Sequence, residues 1–247
     1  MGGPSPARTS VGATPAASAS PTPTVAVGLD DCVPNAWRTL QLRSRDGVRL
    51  AAAQTGHGQT GVVFAHESDG TLCNWVPYAA SLARRGVQVL VLDGRGHGSS
   101  ADAPAPRSAA WDLDVEAAAV ALRRSGVTRI ALVGASAGGT AALVAAVRVP
   151  SITAVASLSG PAEFAAMDAA RAATQLQTPA LYLVGALDSG FVPDARRLAD
   201  RTRGPHQLTI VPDDGWHGTA LLDDPIRGTK LAALLTDFLL HALRPTG

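Results

Sequence analysis

The chain has 247 residues, 46% of them hydrophobic and 17% charged, with a formal net charge of +1. That length and balance suit one globular α/β domain plus a tail, and they exclude a chain disordered throughout. There is no long basic run to leave the electrostatic footprint of nucleic-acid binding, and no apolar run reaches bilayer-spanning length.

Residues 1–34 read as a flexible leader. Between Ser5 and Thr24, Ala, Ser, Thr and Pro dominate with almost no charge, and such a segment cannot bury enough surface to fold. Its first residues lack the apolar stretch of a secretory signal. The leader is therefore expected to be the linker behind an export signal absent from this chain, placing the protein outside the cell or in its envelope. An ordinary cytoplasmic tail is the alternative. Cys32 and Cys73 are too few for a zinc site and lack metal-type spacing. One disulfide between them is expected, in keeping with export, against the alternative of two free thiols.

Residues 35–247 form the expected domain. Segments 37–43 and 48–53 flank Asp46-Gly47, a strong hairpin signal. Continuous apolar runs follow at 61–65, 87–92, 129–133, 152–158, 180–184 and 207–211, the mark of parallel strands covered on both faces. Helical patterns lie between them. Segments 74–85 and 111–125 stop before Gly86 and Gly126. Segment 137–148 is Ala-rich and stops before Pro150, 193–202 opens on Pro193, and 229–243 is amphipathic. This alternation predicts an α/β domain with a mostly parallel sheet of about eight strands, helices on both faces and no second domain.

Gly134-Ala135-Ser136-Ala137-Gly138 fits a G-x-S-x-G nucleophile turn, with a strand directly before it and a helix directly after. A serine in that strained turn tolerates no bulk two residues away on either side, which the glycines supply. The plain alternative is a Gly-rich turn with Ser136 as helix cap. No Lys follows to make a phosphate loop, and 93–98 does not match G-x-G-x-x-G.

A serine nucleophile needs a base, and the base needs an acid to orient it. Asp188 and His217 lie on loops after later strands, in the order Ser, Asp, His. Glu163 is the rival acid. Asp213 and Asp214 are assigned to the histidine loop. His57, His206 and His241 lie in a turn, at a strand start and in the last helix. For the oxyanion, one backbone N–H is expected from Ala137 and the other from the loop 66–70, with Ser68 preferred and Glu67 as alternative. His66 is expected to hold that loop by a hydrogen bond. Trp75 and Trp216 flank the oxyanion loop and the histidine, and either line an acyl pocket or pack in the core.

At this point the sequence resembles the α/β-hydrolase family, from about Trp37 to Leu243. The resemblance rests on the nucleophile turn, on Leu92-Asp93-Gly94-Arg95-Gly96-His97-Gly98-Ser99-Ser100, on Val184-Gly185-Ala186-Leu187-Asp188 and on Gly215-Trp216-His217-Gly218. Glu67 departs from it, since relatives often carry Gly there. Many relatives have a lid after the sixth strand. Residues 160–179 leave room here for one helix and little else, so the resemblance implies a small, lidless enzyme. It implies a serine hydrolase that cleaves small-molecule carboxylic esters without metal or organic cofactor. Peptidases, acyltransferases and cofactor-free haloperoxidases share the triad, and a non-catalytic binding protein on the same fold is a further alternative. Nothing in the sequence bears on oligomeric state.

Overall fold

The computed structural model describes residues 1–3, 29 and 31–244. Most of the leader lies outside these residues. Of its last positions, Leu29, Cys32 and Val33 pack against the core.

The chain opens with β1 (Arg38–Arg43) and β2 (Arg49–Thr55), antiparallel from Arg38 opposite Gln54 to Arg43 opposite Arg49. Gly47, at φ 92°, turns the hairpin in the left-handed region that glycine enters without penalty. Then come β3 (Thr60–Ala65), β4 (Gln88–Leu92), β5 (Arg129–Ala135) and β6 (Ile152–Leu158). A short ribbon, β7 (Glu163–Phe164) and β8 (Met167–Asp168), precedes β9 (Ala180–Gly185) and β10 (His206–Val211). The main sheet has eight strands in the order β1-β2-β4-β3-β5-β6-β9-β10. Only the pairings of β2 are antiparallel.

The helices are α1 (Val76–Ala83), α2 (Trp111–Arg124), α3 (Ala137–Ala146), α4 (Ala169–Ala173), α5 (Val192–Arg201), α6 (Ala220–Asp223) and α7 (Gly228–Ala242). Successive side chains of a strand point to opposite faces, so each strand feeds two cores. Val63 and Leu132 meet Val115, Leu122, Leu143 and Leu198 from α2, α3 and α5. Val62, Phe64 and Val133 meet Tyr78, Leu82, Leu235 and Leu239 from α1 and α7. The expected strands and long helices are all present. The ribbon, α4 and α6 are additions too short to show periodicity. Helix α1 starts later than expected because a 3-10 turn, Leu72–Asn74, capped by Thr71, takes up its first residues. Among the described residues no helix is long and apolar enough to cross a membrane.

The two strands that follow β3 in the chain lie on opposite sides of it, β4 on one and β5 on the other. Such a switch opens a crevice at the carboxyl ends of the strands, where ligands bind in sheets of this kind. Arg95, on the loop after β4, braces that end. It is fully buried. Nε donates to both oxygens of Asp114, Nη1 to Asp46 and the Arg107 carbonyl, and Nη2 to Asp46 and Asp114, at 2.7–3.1 Å. The guanidinium beside Asp46 holds its carboxyl down to about 2.

Cys32 and Cys73 form the expected disulfide, with Cα atoms 5.7 Å apart across a sequence separation of 41. A cross-link closing that loop stabilises by about 4 kcal/mol in the chain-entropy model, mainly by restricting the unfolded chain. The Cys32→Ser/Cys73→Ser double variant should unfold at lower urea concentration, with about 2–4 kcal/mol lost in equilibrium denaturation.

Candidate functional site

Ser136 stands between β5 and α3 with φ 48° and ψ −121°. This region costs an L-residue of order 1–3 kcal/mol and persists only where the surroundings impose it. They do so by close approach. A Cβ on Gly134 would lie 2.0 Å from the Gly138 carbonyl oxygen, and one on Gly138 would lie 2.5 Å from the carbonyls of both Ala65 and His66. The Ser136 N–H donates to the Leu158 carbonyl at 2.8 Å, which ties the turn to β6. The side chain thus stands at the positive end of α3, where negative charge is favoured.

His217 and Asp188 meet: Nδ1 of the imidazole lies 2.8 Å from Asp188 Oδ2. Asp188 is positioned by the turn after β9, where its N–H donates to the Gly185 carbonyl and its own carbonyl accepts from Phe191 and Val192. The Phe191 ring packs on the imidazole with centroids 4.2 Å apart. Glu163, the rival acid, instead pairs with Arg197 at the surface, 2.9 Å away. Asp214 belongs to the histidine loop, with its Oδ1 accepting from the Trp216 N–H at 2.8 Å.

The histidine loop lies over the nucleophile turn. A Cβ on Gly218 would sit 3.4 Å from the Ala135 Cβ and 3.6 Å from the Glu67 carboxylate. The described residues contain no hydrogen bond from Ser136 Oγ to the imidazole. In unliganded sites such contacts are often long and tighten only when substrate binds.

His66 is buried at the end of β3 and holds the next loop, as expected. The Gly94 N–H donates to Nε2 at 2.9 Å, so the ring proton sits on Nδ1 and goes to the Glu67 carbonyl at 2.6 Å. Burial lowers its pKa to about 4, which keeps the ring neutral. The Glu67 carboxylate turns toward the histidine loop. Its Oε1 accepts from Asn74 Nδ2 at 3.0 Å and from the Thr219 hydroxyl, while Oε2 is buried without a partner. Among the described residues the N–H groups of Ala137 and Ser68 have no acceptor.

Of the two roles open to Trp75, the structure takes core packing. It is 0% exposed and packs between Phe64 and Tyr78, with Nε1 donating to the Ala65 carbonyl at 2.8 Å. Its indole N–H is satisfied inside the core, so it lines no open pocket. Trp216, by contrast, is 51% exposed beside His217, and Leu187 is 66% exposed beside Asp188. Asn74, Thr219 and Phe191 went unforeseen. Their only sequence signal is proximity to the predicted loops.

A family model described as alpha/beta hydrolase fold matches residues 57–174. Among solved structures, an esterase of Pyrococcus furiosus is 15% identical, covering 89% of this chain and 98% of its own, with a TM-score of 0.71. A dienelactone hydrolase from Anabaena variabilis is 22% identical over 84% of this chain and 98% of its own, with a TM-score of 0.66. A proline iminopeptidase of Mycobacterium smegmatis is 15% identical over 83% and 98%, with a TM-score of 0.68. No curated protein matches the chain. The chain has the α/β-hydrolase fold, and among the described residues it carries no large cap.

Glu67→Ala strands the Asn74 and Thr219 donors and should lower stability by about 1–3 kcal/mol in urea unfolding. Glu67→Gln keeps an acceptor oxygen for both and should lose markedly less.

Proposed function

We propose that the chain is a serine hydrolase that cleaves small-molecule carboxylic esters through an acyl-enzyme on Ser136. The observation that carries this reading is the 2.8 Å contact between His217 Nδ1 and Asp188, on a loop packed over the strained turn of Ser136. His217 Nε2 takes the hydroxyl proton as Ser136 Oγ attacks the ester carbonyl carbon. Asp188 fixes the tautomer and stabilises the imidazolium that forms. The N–H groups of Ala137 and Ser68 receive the oxyanion of the tetrahedral intermediate. The intermediate collapses with cleavage of the C–O bond to the alcohol, which leaves with the proton from His217. Water then repeats the sequence on the acyl-enzyme and releases the acid. None of these steps needs a metal or an organic cofactor.

Between β6 and β9 the chain provides only the β7–β8 ribbon and α4, so access to the site is open. The Cys32–Cys73 bond supports an oxidising compartment, in keeping with export.

A fluorophosphonate probe should label Ser136, and Ser136→Ala should lose both labelling and turnover of short-chain p-nitrophenyl esters, the latter by about 10⁶. Labelling at another residue would overturn the assignment. Asp188→Asn removes the carboxylate charge and favours the wrong His217 tautomer, and should lower kcat by about 10⁴, whereas Glu163→Gln should leave it near that of the unaltered chain, in the same assay. Matched amide substrates separate esterase from peptidase.

A further inference from the structure

Both peptide planes that meet at Ser68 are held by an imidazole. The plane before it ends in the Glu67 carbonyl, which accepts from His66 Nδ1 at 2.6 Å and from the Gly70 N–H at 3.1 Å. The plane after it carries the Ser68 carbonyl, which lies 2.8 Å from Nε2 of His97. A trans peptide holds its N–H antiparallel to its C=O, so pinning these two carbonyls fixes where the N–H groups of Ser68 and Asp69 point. Neither N–H has an acceptor among the described residues.

His97 is itself held. Its ring meets Trp111 edge-on with centroids 4.8 Å apart and His66 at 5.2 Å; with the ring proton on Nε2, the Nδ1 that lies 3.0 Å from the Arg95 carbonyl donates nothing to it. The backbone beyond it is clasped by Asp93, which accepts from the N–H groups of Leu72 at 2.8 Å and Ser99 at 2.9 Å. A Cβ on Gly98 would come within 2.2 Å of the Asp93 carboxylate. The loop after β4 is therefore a firm platform, and through one ring nitrogen it reaches across to the loop after β3.

We propose that His97 is a positioning residue for the oxyanion site: by donating from Nε2 to the Ser68 carbonyl, it holds the peptide plane after Ser68, so that the Ser68 N–H, whose own plane His66 holds, stays aimed at the oxygen on which charge develops. This rests on the serine hydrolase reading given above. His97 touches no reacting atom and acts through Ser68. Its loss leaves ground-state binding in place and degrades only the interaction that strengthens in the transition state. Loss of one oxyanion donor costs about 10²–10³ in rate, and a misplacement of about 1 Å costs about 10².

The test compares His97→Ala, His97→Leu and His97→Gln in hydrolysis of p-nitrophenyl acetate and in inhibition by a trifluoromethyl ketone, whose adduct carries an oxyanion. The two variants without a donor should lose about 10²-fold in kcat with KM nearly unchanged, and should bind the ketone weaker by the same factor. Gln, which supplies an N–H in place of Nε2, should restore both. Unchanged kcat in the Ala and Leu variants overturns the proposal, as does a fall in kcat that ketone affinity does not follow, or one that Gln does not rescue. If His97→Ala does not fold, the Leu and Gln pair decides by the same criteria. Fluorophosphonate labelling of the unaltered chain is run alongside. Without labelling at Ser136 the serine hydrolase reading itself falls, whereas labelling combined with indifference to His97 removes only the present proposal.

Discussion

The absence of two side chains governs this molecule's site. At Gly134 and Gly138 the backbone of the nucleophile turn passes so close to itself and to the end of β3 that a single methyl group has no room. That closeness allows the chain to leave β5, place Ser136 at a positive φ and enter α3 within one residue. An ordinary strand-to-helix connection would spread the same change over several residues and turn the hydroxyl into the layer between sheet and helix. Contact with the Ala65 and His66 carbonyls also sets the distance between the turn of Ser136 and the loop after β3, so the two features cannot shift independently.

Around that fixed centre, the loops are joined by buried polar contacts between distant parts of the chain. His66 joins the loop after β3 to the loop after β4 through Gly94. Glu67 joins the oxyanion loop to the histidine loop through Thr219, and to the start of the α1 region through Asn74. Each contact is neutral–neutral or carries a single carboxylate, and those of Gly94 with His66 and of Thr219 with Glu67 are buried, so geometry is enforced without long flexible ion pairs.

The sequence was most legible where one physical demand leaves one pattern. β3 is covered on both sides, so Val62, Val63 and Phe64 form an unbroken apolar run. The steric demand of the turn at Ser136 appears directly as glycine spacing, and the order of the strands places Asp188 and His217, which meet in space, after β9 and β10. Legibility failed where a residue's role depends on a partner far away in the chain. Thr219 meets Glu67 across 152 positions, which no local pattern records. Trp75 illustrates the same limit: an aromatic residue near a predicted loop has the same appearance whether it lines a cavity or donates its N–H to Ala65 in the core. The ribbon, α4 and α6 are shorter than the period that would reveal them.

Arg95 saturates all five of its N–H donors on three separate stretches of chain: the hairpin turn at Asp46, the first turns of α2 at Asp114 and the Arg107 carbonyl. A lysine offers a single ammonium and cannot reproduce that planar fork. Position 95 therefore works as a rivet joining the edge hairpin to the body of the sheet, and Asp46, Arg95 and Asp114 behave as one inseparable unit. Anyone transplanting this sheet edge onto another scaffold, or recombining segments among related chains, would have to carry all three together, because without Arg95 the buried Asp114 loses its cation, and without either aspartate part of the guanidinium is sealed from water with donors unmet.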